Sequence, residues 1–363
     1  MKETMVRCDK TLYFELLRIL AASLVIFNHV PGYTLYQTTS GLKQVFYLFC
    51  SLFTRINVPL FYMISGALLL NKTEDYRKVV SKRISRILLT MLIFEAFMYI
   101  LQALKGFVEG ENIQAGIGEF CREFISGSIT GVGSYWYLYS YLGILFMLPL
   151  LQRIAKALTR QDIWILIGLH FLSWSAIPIF NAFLSFRNEA LISLSENFSV
   201  PLAAIKGYFF FLMGYYLDKK IEISLIKKKI CNLLILLAVI GISVSCGITL
   251  LEGKNTGIYS QKYMQLFDYV SAIAAFVVVK RLFMRKAVPE RTAFLICYIG
   301  SLTFGIYLLD PFLQRLFYPL YSGFMMNYVS TFIVSIGWVV ISMFLGGITT
   351  MVLRKIPFLG KLI

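Results

Sequence analysis

The sequence of 363 residues has little charge, little acid and only two histidines. Charged residues make up 15% of the chain and hydrophobic residues 58%, whereas soluble domains average roughly 25% charged residues. This shortage of charge excludes an ordinary water-soluble globular protein. Long apolar runs without alternation of apolar and polar residues also exclude a transmembrane β-barrel. The lipid bilayer is therefore the expected solvent, and helices have to satisfy the backbone polar groups.

The sequence also lacks any residue spacing that is typical of a metal site. The six cysteines and two histidines form no Cys-x-x-Cys or His-x-x-x-His pair, so we expect no metal. The net charge of +16 is spread over many short connections. That distribution argues against a nucleic-acid partner and is typical of the cytoplasmic loops of a membrane protein.

About ten apolar segments are long enough to span a bilayer as helices. We predict an all-α, polytopic membrane helix bundle of about ten transmembrane helices. We expect it to form a single domain over residues 1–363, without a separate soluble domain. The predicted segments are 12–31, 44–70, 85–104, 135–152, 162–180, 199–218, 230–251, 264–284, 294–318 and 328–352.

Lysine and arginine are concentrated in alternate connections between these segments. The connection after the second segment carries Lys72, Arg77, Lys78, Lys82, Arg83 and Arg86, and that after the sixth carries Lys219, Lys220, Lys227, Lys228 and Lys229. Because basic connections stay in the cytoplasm, both termini are predicted to be cytoplasmic. The acidic and glycine-rich connection 105–134 is then expected to be an outer loop.

The first segment carries charged groups that a lipid-facing helix would exclude. A charge at the bilayer centre costs at least ~2.5–3.5 kcal/mol on insertion scales. Arg18 and His29 are three helical turns apart, so both leave the same helix face, about 16 Å apart along the axis. Glu15 lies one turn before Arg18. We expect this ridge to line a cleft; alternatively, Glu15 and Arg18 only aid packing, and His29 reaches the membrane interface.

The second segment combines a charge with residues that shape a helix. Arg55 precedes Pro59, which frees backbone carbonyls in a membrane helix. Ser65 and Gly66 permit another helix to approach closely. The segment is either a kinked packing helix or part of a cavity wall, and the charge of Arg55 favours the cavity.

Aromatic side chains open the fourth segment at the predicted outer interface. Trp136, Tyr137 and Tyr139 lie within four consecutive residues. Such residues form the aromatic belt of many membrane proteins. The alternative is that these rings stack on a sugar.

Other charges mark the ninth segment and the basic connections. Asp310 is predicted at a depth similar to that of His29, where a carboxylate could orient the imidazole. Arg83 and Arg86 either anchor the helix at the cytoplasmic face or bind the phosphates of a nucleotide-like donor. His170 lies in an apolar, tryptophan-containing segment and is interpreted as a packing residue.

Four segments together resemble, in order, those of the type-3 integral-membrane acyltransferase family. The opening helix of that family carries an Arg, ten intervening residues and a His, as do Arg18 and His29 here. The four segments are Phe14–Ala22 with Phe27-Asn28-His29, Pro59–Gly66, Tyr135-Trp136-Tyr137-Leu138 and Phe304–Leu308. Together with the ten predicted helices they cover nearly the whole chain.

This resemblance implies transfer of an acyl group, usually acetyl, from acetyl-CoA to a hydroxyl group of a cell-envelope or exported carbohydrate. It implies a bacterial cytoplasmic membrane location, with His29 as the essential imidazole and Arg18 as its companion. Many members have His where this chain has Asp310, so the role of that carboxylate stays open. The residues expected to bind substrate are Arg55, Trp136, Tyr137, Tyr139, Ser65 and Glu15, and those expected to bind the CoA phosphates are Arg83 and Arg86.

A transporter or glycan exporter without acyl-transfer chemistry is the alternative function. Intramembrane charges and a proline-containing helix suit a substrate path equally well. A transporter of this kind would show repeat symmetry between its halves, which is not evident in the sequence. Nothing in the sequence indicates an oligomeric state.

Overall fold

The computed structural model describes residues 12–110, 116–187, 189–195, 200–222, 226–259, 261–285 and 288–363. Within these ranges every regular element is a helix, which confirms the all-α class. Among the described residues, six helices are long and apolar enough to cross a membrane, or eight if two bent pairs each form one span. The predicted segments 199–218 and 264–284 also form helices that fall outside this count. The number of ten spans and the cytoplasmic termini stay predictions.

The α-helices follow one another along the chain with short connections. They are α1 (Leu12–Asn28), α2 (Gly41–Thr54), α3 (Asn57–Leu69), α4 (Tyr76–Glu109), α5 (Ile117–Ser126), α6 (Trp136–Phe146), α7 (Leu148–Ala157), α8 (Arg160–Phe186), α9 (Pro201–Ala204), α10 (Lys206–Tyr215), α11 (Lys228–Thr256), α12 (Asp268–Arg285), α13 (Glu290–Met325) and α14 (Thr331–Leu353). Two bent pairs occur: α1 meets the 3₁₀ segment Pro31–Gln37 at 58°, and α6 meets α7 at 69°.

The helices group into two compact units, and each is described separately. The first unit comprises Met1–Lys72, Leu151–Ser301 and Ser330–Ile336. The second comprises Thr73–Leu150, Leu302–Val329 and Gly337–Ile363.

In the first unit, the second predicted segment is one candidate span, Gly41–Leu69, with an interruption. The interruption falls at Arg55 and Ile56, between α2 and α3. Pro59 lies in the first turn of α3, where a missing N–H is tolerated. Because Pro59 cannot donate a hydrogen bond to the carbonyl of Arg55, the helix breaks at Arg55 rather than at the proline itself.

Glycines bring α3 and α10 into backbone contact within the first unit. A Cβ atom added at Gly66 would overlap the backbone of Phe211, and one added at Gly214 would overlap the backbone of Met63. Neither helix could approach so closely with a larger residue at these positions. The predicted close approach at Gly66 is thus confirmed, and its partner is α10.

In the second unit, the predicted connection 105–134 contains the short helix α5, which is not among the candidate spans. Phe120 lies 5.4 Å from Tyr99 of α4, and Phe124 lies 6.2 Å from Tyr139 of α6, between ring centroids. These ring contacts dock one face of α5 on α4 and α6, which a count of acidic and glycine residues could not reveal.

Candidate active site

The charged ridge on α1 begins with an ion pair. The guanidinium of Arg18 donates to the carboxylate of Glu15 at 2.5 Å, and their side chains are 30% and 15% exposed. The second carboxylate oxygen of Glu15 is buried beside Gly300, where an added Cβ would approach it to 2.5 Å. The Glu15 side of the ion pair therefore packs on the helix that contains Gly300. The guanidinium of Arg18 has further N–H donors that the bond to Glu15 does not use.

The residues between Arg18 and His29 show which way the ridge faces. Ala22 and Val25 lie on this stripe of α1 and are only 2% and 6% exposed. His29 follows the last residue of α1, and its N–H donates to the carbonyl of Ile26 at 3.1 Å. Its side chain is half-buried. The ridge therefore faces protein rather than lipid, as a cleft-lining face requires.

Arg55 lies at the interruption between α2 and α3 and packs on an aromatic ring. Its guanidinium carbon is 5.2 Å from the ring centroid of Tyr33, within the range of a cation–π interaction. Its terminal nitrogen is 3.9 Å from the sulfur of Met264. The hydroxyl of Ser51 holds the carbonyl of Tyr33 at 2.5 Å. Tyr33 follows His29 by four residues, so Arg55 is tied to the same end of α1.

A second cation, Lys206, lies where α9 and α10 are interrupted at Ile205. The carbonyls of Ala203 and Ala204, near this break, accept hydrogen bonds from His170 at 2.6 Å and Trp174 at 2.7 Å. Irregular backbone at membrane depth persists only where such partners exist. His170 is fully buried and stacks on Phe209 with centroids 3.8 Å apart, which supports its interpretation as a packing residue.

The ammonium of Lys206 is surrounded by partners from a distant part of the chain. It lies 2.5 Å from the carboxylate of Asp268 and 3.0 Å from the amide oxygen of Gln265. It also lies 4.2 Å from the ring centroid of Trp174. Lys206 is a charged residue within the predicted apolar segment 199–218, but only the fold reveals Asp268 as its partner.

In the second unit, Asp310 is a buried residue of α13. It is 1% exposed, and the hydroxyl of Ser342 lies 3.4 Å from its carboxylate. One turn earlier on α13, the hydroxyl of Tyr307 donates to the carbonyl of Ser134 at 2.7 Å. The fully buried Tyr135 donates to the carbonyl of Leu308. These contacts join the start of α6 to the segment of α13 that contains Asp310.

The predicted aromatic residues of α6 have different surroundings. Trp136 is 56% exposed, as an interfacial belt residue would be. Tyr137 stacks on Tyr141 with centroids 5.9 Å apart. The hydroxyl of Tyr139 lies 2.8 Å from the carboxylate of Glu95 and 2.6 Å from the carbonyl oxygen of Phe124, and its single proton is shared between these two acceptors. Its ring face, rather than its hydroxyl, is what remains for a substrate.

The predicted phosphate-binding arginines also have internal partners. Arg83 makes two hydrogen bonds with the carboxylate of Glu74, at 2.7 and 2.8 Å. Arg86 donates to the carbonyl of Leu362 at 2.9 Å and lies 6.0 Å from the ring of Phe304. Arg83 would therefore have to exchange an existing partner to bind a phosphate.

The predicted site residues are divided between the two units. The first unit holds Glu15, Arg18, His29, Arg55 and the half-buried Ser65. The second holds Arg83, Arg86, Trp136, Tyr137, Tyr139 and Asp310. Among the described residues no group of three His, Cys, Asp or Glu side chains could hold a metal ion.

A family model for an acyltransferase domain matches residues 11–352. The chain belongs to the type-3 acyltransferase family. The match confirms the resemblance inferred from the four segments, and it includes every residue of the candidate site. The family match and the apolar helices together identify the protein as a multi-pass membrane acyltransferase. An enzyme of this kind transfers an acyl group from a donor to an acceptor. No curated protein and no solved structure matches the chain significantly.

Proposed function

We propose that this acyltransferase moves an acetyl group from acetyl-CoA to a hydroxyl group of a cell-envelope or exported carbohydrate, in the cytoplasmic membrane of a bacterium. The observation that carries the proposal is the ridge of α1. It combines Arg18 and His29 on a face where the intervening Ala22 and Val25 are buried. A base and a cation in a protected cleft are what ester formation from a thioester requires.

The reaction assigns one role to each group of the ridge. His29 accepts the proton of the acceptor hydroxyl while its oxygen forms a bond to the acyl carbon. The carbon–sulfur bond then breaks, and the leaving thiolate takes up the proton from the imidazolium. Arg18, with Glu15 as its counter-ion, binds negative charge on the donor, because about 16 Å along the helix axis separates it from His29 and from the acyl oxygen beside His29. Transient acylation of His29 itself is the alternative route.

The residues of the second unit have supporting roles in this proposal. Asp310 contributes a buried carboxylate to the catalytic machinery, and the ring faces of Trp136, Tyr137 and Tyr139 contact the sugar. Arg86 binds a phosphate of CoA through the donors that Leu362 does not use, and Arg83 does so after exchanging Glu74. In the first unit, Ser65 and Arg55 contribute to the acceptor site.

Transfer from labelled donor tests the proposal. Purified full-length protein in liposomes is given radiolabelled acetyl-CoA and glycan extracted from cells that lack the protein. Label is expected to enter the glycan, with a mass increase of one acetyl group. Absence of labelled glycan, together with glycan movement across vesicles without acetyl-CoA, would instead support an exporter.

The chain offers a matched pair of variants for this assay. Glu15–Arg18 and Glu119–Arg122 are both ion pairs with three-residue spacing, but the side chain of Arg122 is 74% exposed. Arg18→Gln is expected to lower transfer at least tenfold, and Arg122→Gln is expected to leave it unchanged. Equal transfer by both variants would remove Arg18 from the reaction.

A further inference from the structure

Among its described residues, the first unit contains two largely buried lysine–aspartate pairs with the same separation. Lys206 and Asp268 are 2.5 Å apart, and so are Lys280 and Asp218. Removing two charges from water is costly, and an apolar replacement is often as stable. A buried charge in a membrane protein therefore suggests a functional role. The surroundings of the two pairs can be compared directly.

The pair of Lys280 and Asp218 is saturated by its neighbours. Lys280 also donates to the backbone carbonyl of Asp218 at 2.8 Å. The hydroxyl of Tyr13 donates to the carboxylate, and Lys219 lies 2.9 Å from its second oxygen. Both carboxylate oxygens of Asp218 therefore have cationic or hydroxyl partners. Oδ2 of Asp218 makes no hydrogen bond among the described residues, but the nearby ammonium of Lys219 compensates its charge. The Asp218 carboxylate thus has a cation at each oxygen, and this pair serves as the structural comparison.

The pair of Lys206 and Asp268 is open in contrast. The second carboxylate oxygen of Asp268 is buried without a hydrogen-bond partner among the described residues. The same holds for the Nε donor of Arg55 and for the hydroxyl of Tyr33. Buried polar groups are nearly always hydrogen-bonded, so three such atoms in one region call for a bound group that supplies their partners.

One short stretch of chain gathers these open groups. Arg55 contacts Met264, and Lys206 contacts the next residue, Gln265, as well as Asp268. Arg55 lies within electrostatic range of Lys206 and over the ring of Tyr33. Arg55 and Lys206 are cations and Asp268 is the one carboxylate of this cluster, so its net charge is positive. A negatively charged ligand would neutralise that charge.

We propose that Arg55 and Lys206 bind an anionic group, a phosphate or a carboxylate, on the carbohydrate acceptor. Asp268 accepts a hydrogen bond from a neighbouring sugar hydroxyl, and Trp174 and Tyr33 border the site with their rings. Because Tyr33 follows His29 by four residues, the bound anion lies at the end of α1 that bears the imidazole. This inference rests on the proposed function, and the phosphates of CoA are the other source of the same chemistry.

Trp174 provides a direct readout of binding because its ring lies 4.2 Å from the ammonium of Lys206. A variant of the full chain retains Trp174 and carries Phe in place of Trp136, Trp164 and Trp338. Its fluorescence is titrated with glucuronate, inorganic phosphate, glucose and coenzyme A. We expect a saturable change with glucuronate and phosphate, and none with glucose at the same concentration. A change with coenzyme A alone, or with none of these probes, would overturn the proposal.

Two double variants in this background separate binding from structure. K206M/D268N removes the open pair, and K280M/D218N removes the saturated pair as the matched control. We expect the first to weaken glucuronate binding at least tenfold and the second to leave it unchanged. Arg55→Gln provides an independent variant with the same expected loss. Unchanged binding by a folded K206M/D268N or Arg55→Gln variant would contradict the inference.

The binding assay is independent of acyl transfer. A protein that binds glucuronate at Lys206 but labels no glycan would refute the proposed function and leave the anion site standing. A protein that labels glycan normally after loss of Lys206 would refute the anion site alone.

Discussion

Replacing Gly66 by alanine tests the crossing that sets the distance between α3 and α10. Both helices begin near a cation of the anion site: Arg55 lies two residues before the first residue of α3, and Lys206 is the first residue of α10. An added Cβ at Gly66 would lie 2.6 Å from the carbonyl carbon and 2.9 Å from the Cα of Phe211. Carbon atoms in contact are normally ~3.5–4.0 Å apart, and the carbonyl oxygen of Phe211 lies closer still, so the helices have to separate by at least about 1 Å.

The expected loss of stability follows from that separation. Overpacking a close contact costs typically ~1–3 kcal/mol, and the backbone of Phe211 cannot rotate away as a side chain would. We therefore expect Gly66→Ala to lower the free energy of unfolding by about 2 kcal/mol. Gly214→Ala should do the same, since its Cβ would overlap Met63. The double variant should lose less than the sum, because the first substitution already separates the helices.

A matched glycine provides the control. Gly247 is exposed on α11, and an added Cβ would have no neighbour within 4 Å. Gly247→Ala should therefore be neutral or stabilise by up to ~1 kcal/mol. Unfolding is followed by tryptophan fluorescence while a denaturing detergent is titrated into the solubilised protein. The reasoning is refuted if Gly66→Ala unfolds at the same detergent fraction as Gly247→Ala.

Two further substitutions test contacts of the second unit. Arg83→Gln removes the two hydrogen bonds that Arg83 makes with the buried carboxylate of Glu74, and we expect it to cost about 3 kcal/mol. The double variant E74Q/R83Q should recover most of this loss, and equal stability of all three proteins in detergent titration would contradict the ion pair. Tyr139→Phe should lower the free energy of unfolding by ~1–3 kcal/mol, because Glu95 and Phe124 lose a donor. If the ring of Tyr139 stacks on sugar, the same variant keeps its KM for the acceptor, whereas Tyr139→Ala raises it.

Much of the helical organisation can be predicted from hydropathy alone. Apolar segments of about 20 residues have few alternatives to helices in a bilayer, so each predicted segment overlaps one or more helices in the described part of the chain. The stripe of Arg18 and His29 follows from helical periodicity, and the burial of Ala22 and Val25 agrees with it. Local patterns of this kind depend on one helix and need no knowledge of its neighbours.

Features that depend on two distant segments could not be predicted in this way. The interruption at Ile205 contains neither glycine nor proline, and it persists because His170 and Trp174 satisfy the carbonyls beside it. Lys206 is conspicuous in the sequence, but Asp268 is 62 residues away and stands at the start of another helix. The pair of Arg83 and Glu74 is a more local case: the two residues are nine positions apart, a spacing that does not place them on one face of a single helix, so the sequence alone does not predict their contact.

The most direct test of the account compares the two histidines in the transfer assay. His29→Gln and His170→Gln are each assayed for label transfer from acetyl-CoA per mole of folded protein. His29→Gln is predicted to lose transfer at least a hundredfold, in line with the ~10²–10⁴-fold contribution of a general base. His170→Gln is predicted to lower stability, because His170 bonds Ala203, while folded protein retains transfer. Undiminished transfer by His29→Gln would contradict the central claim that the ridge of α1 carries the chemistry.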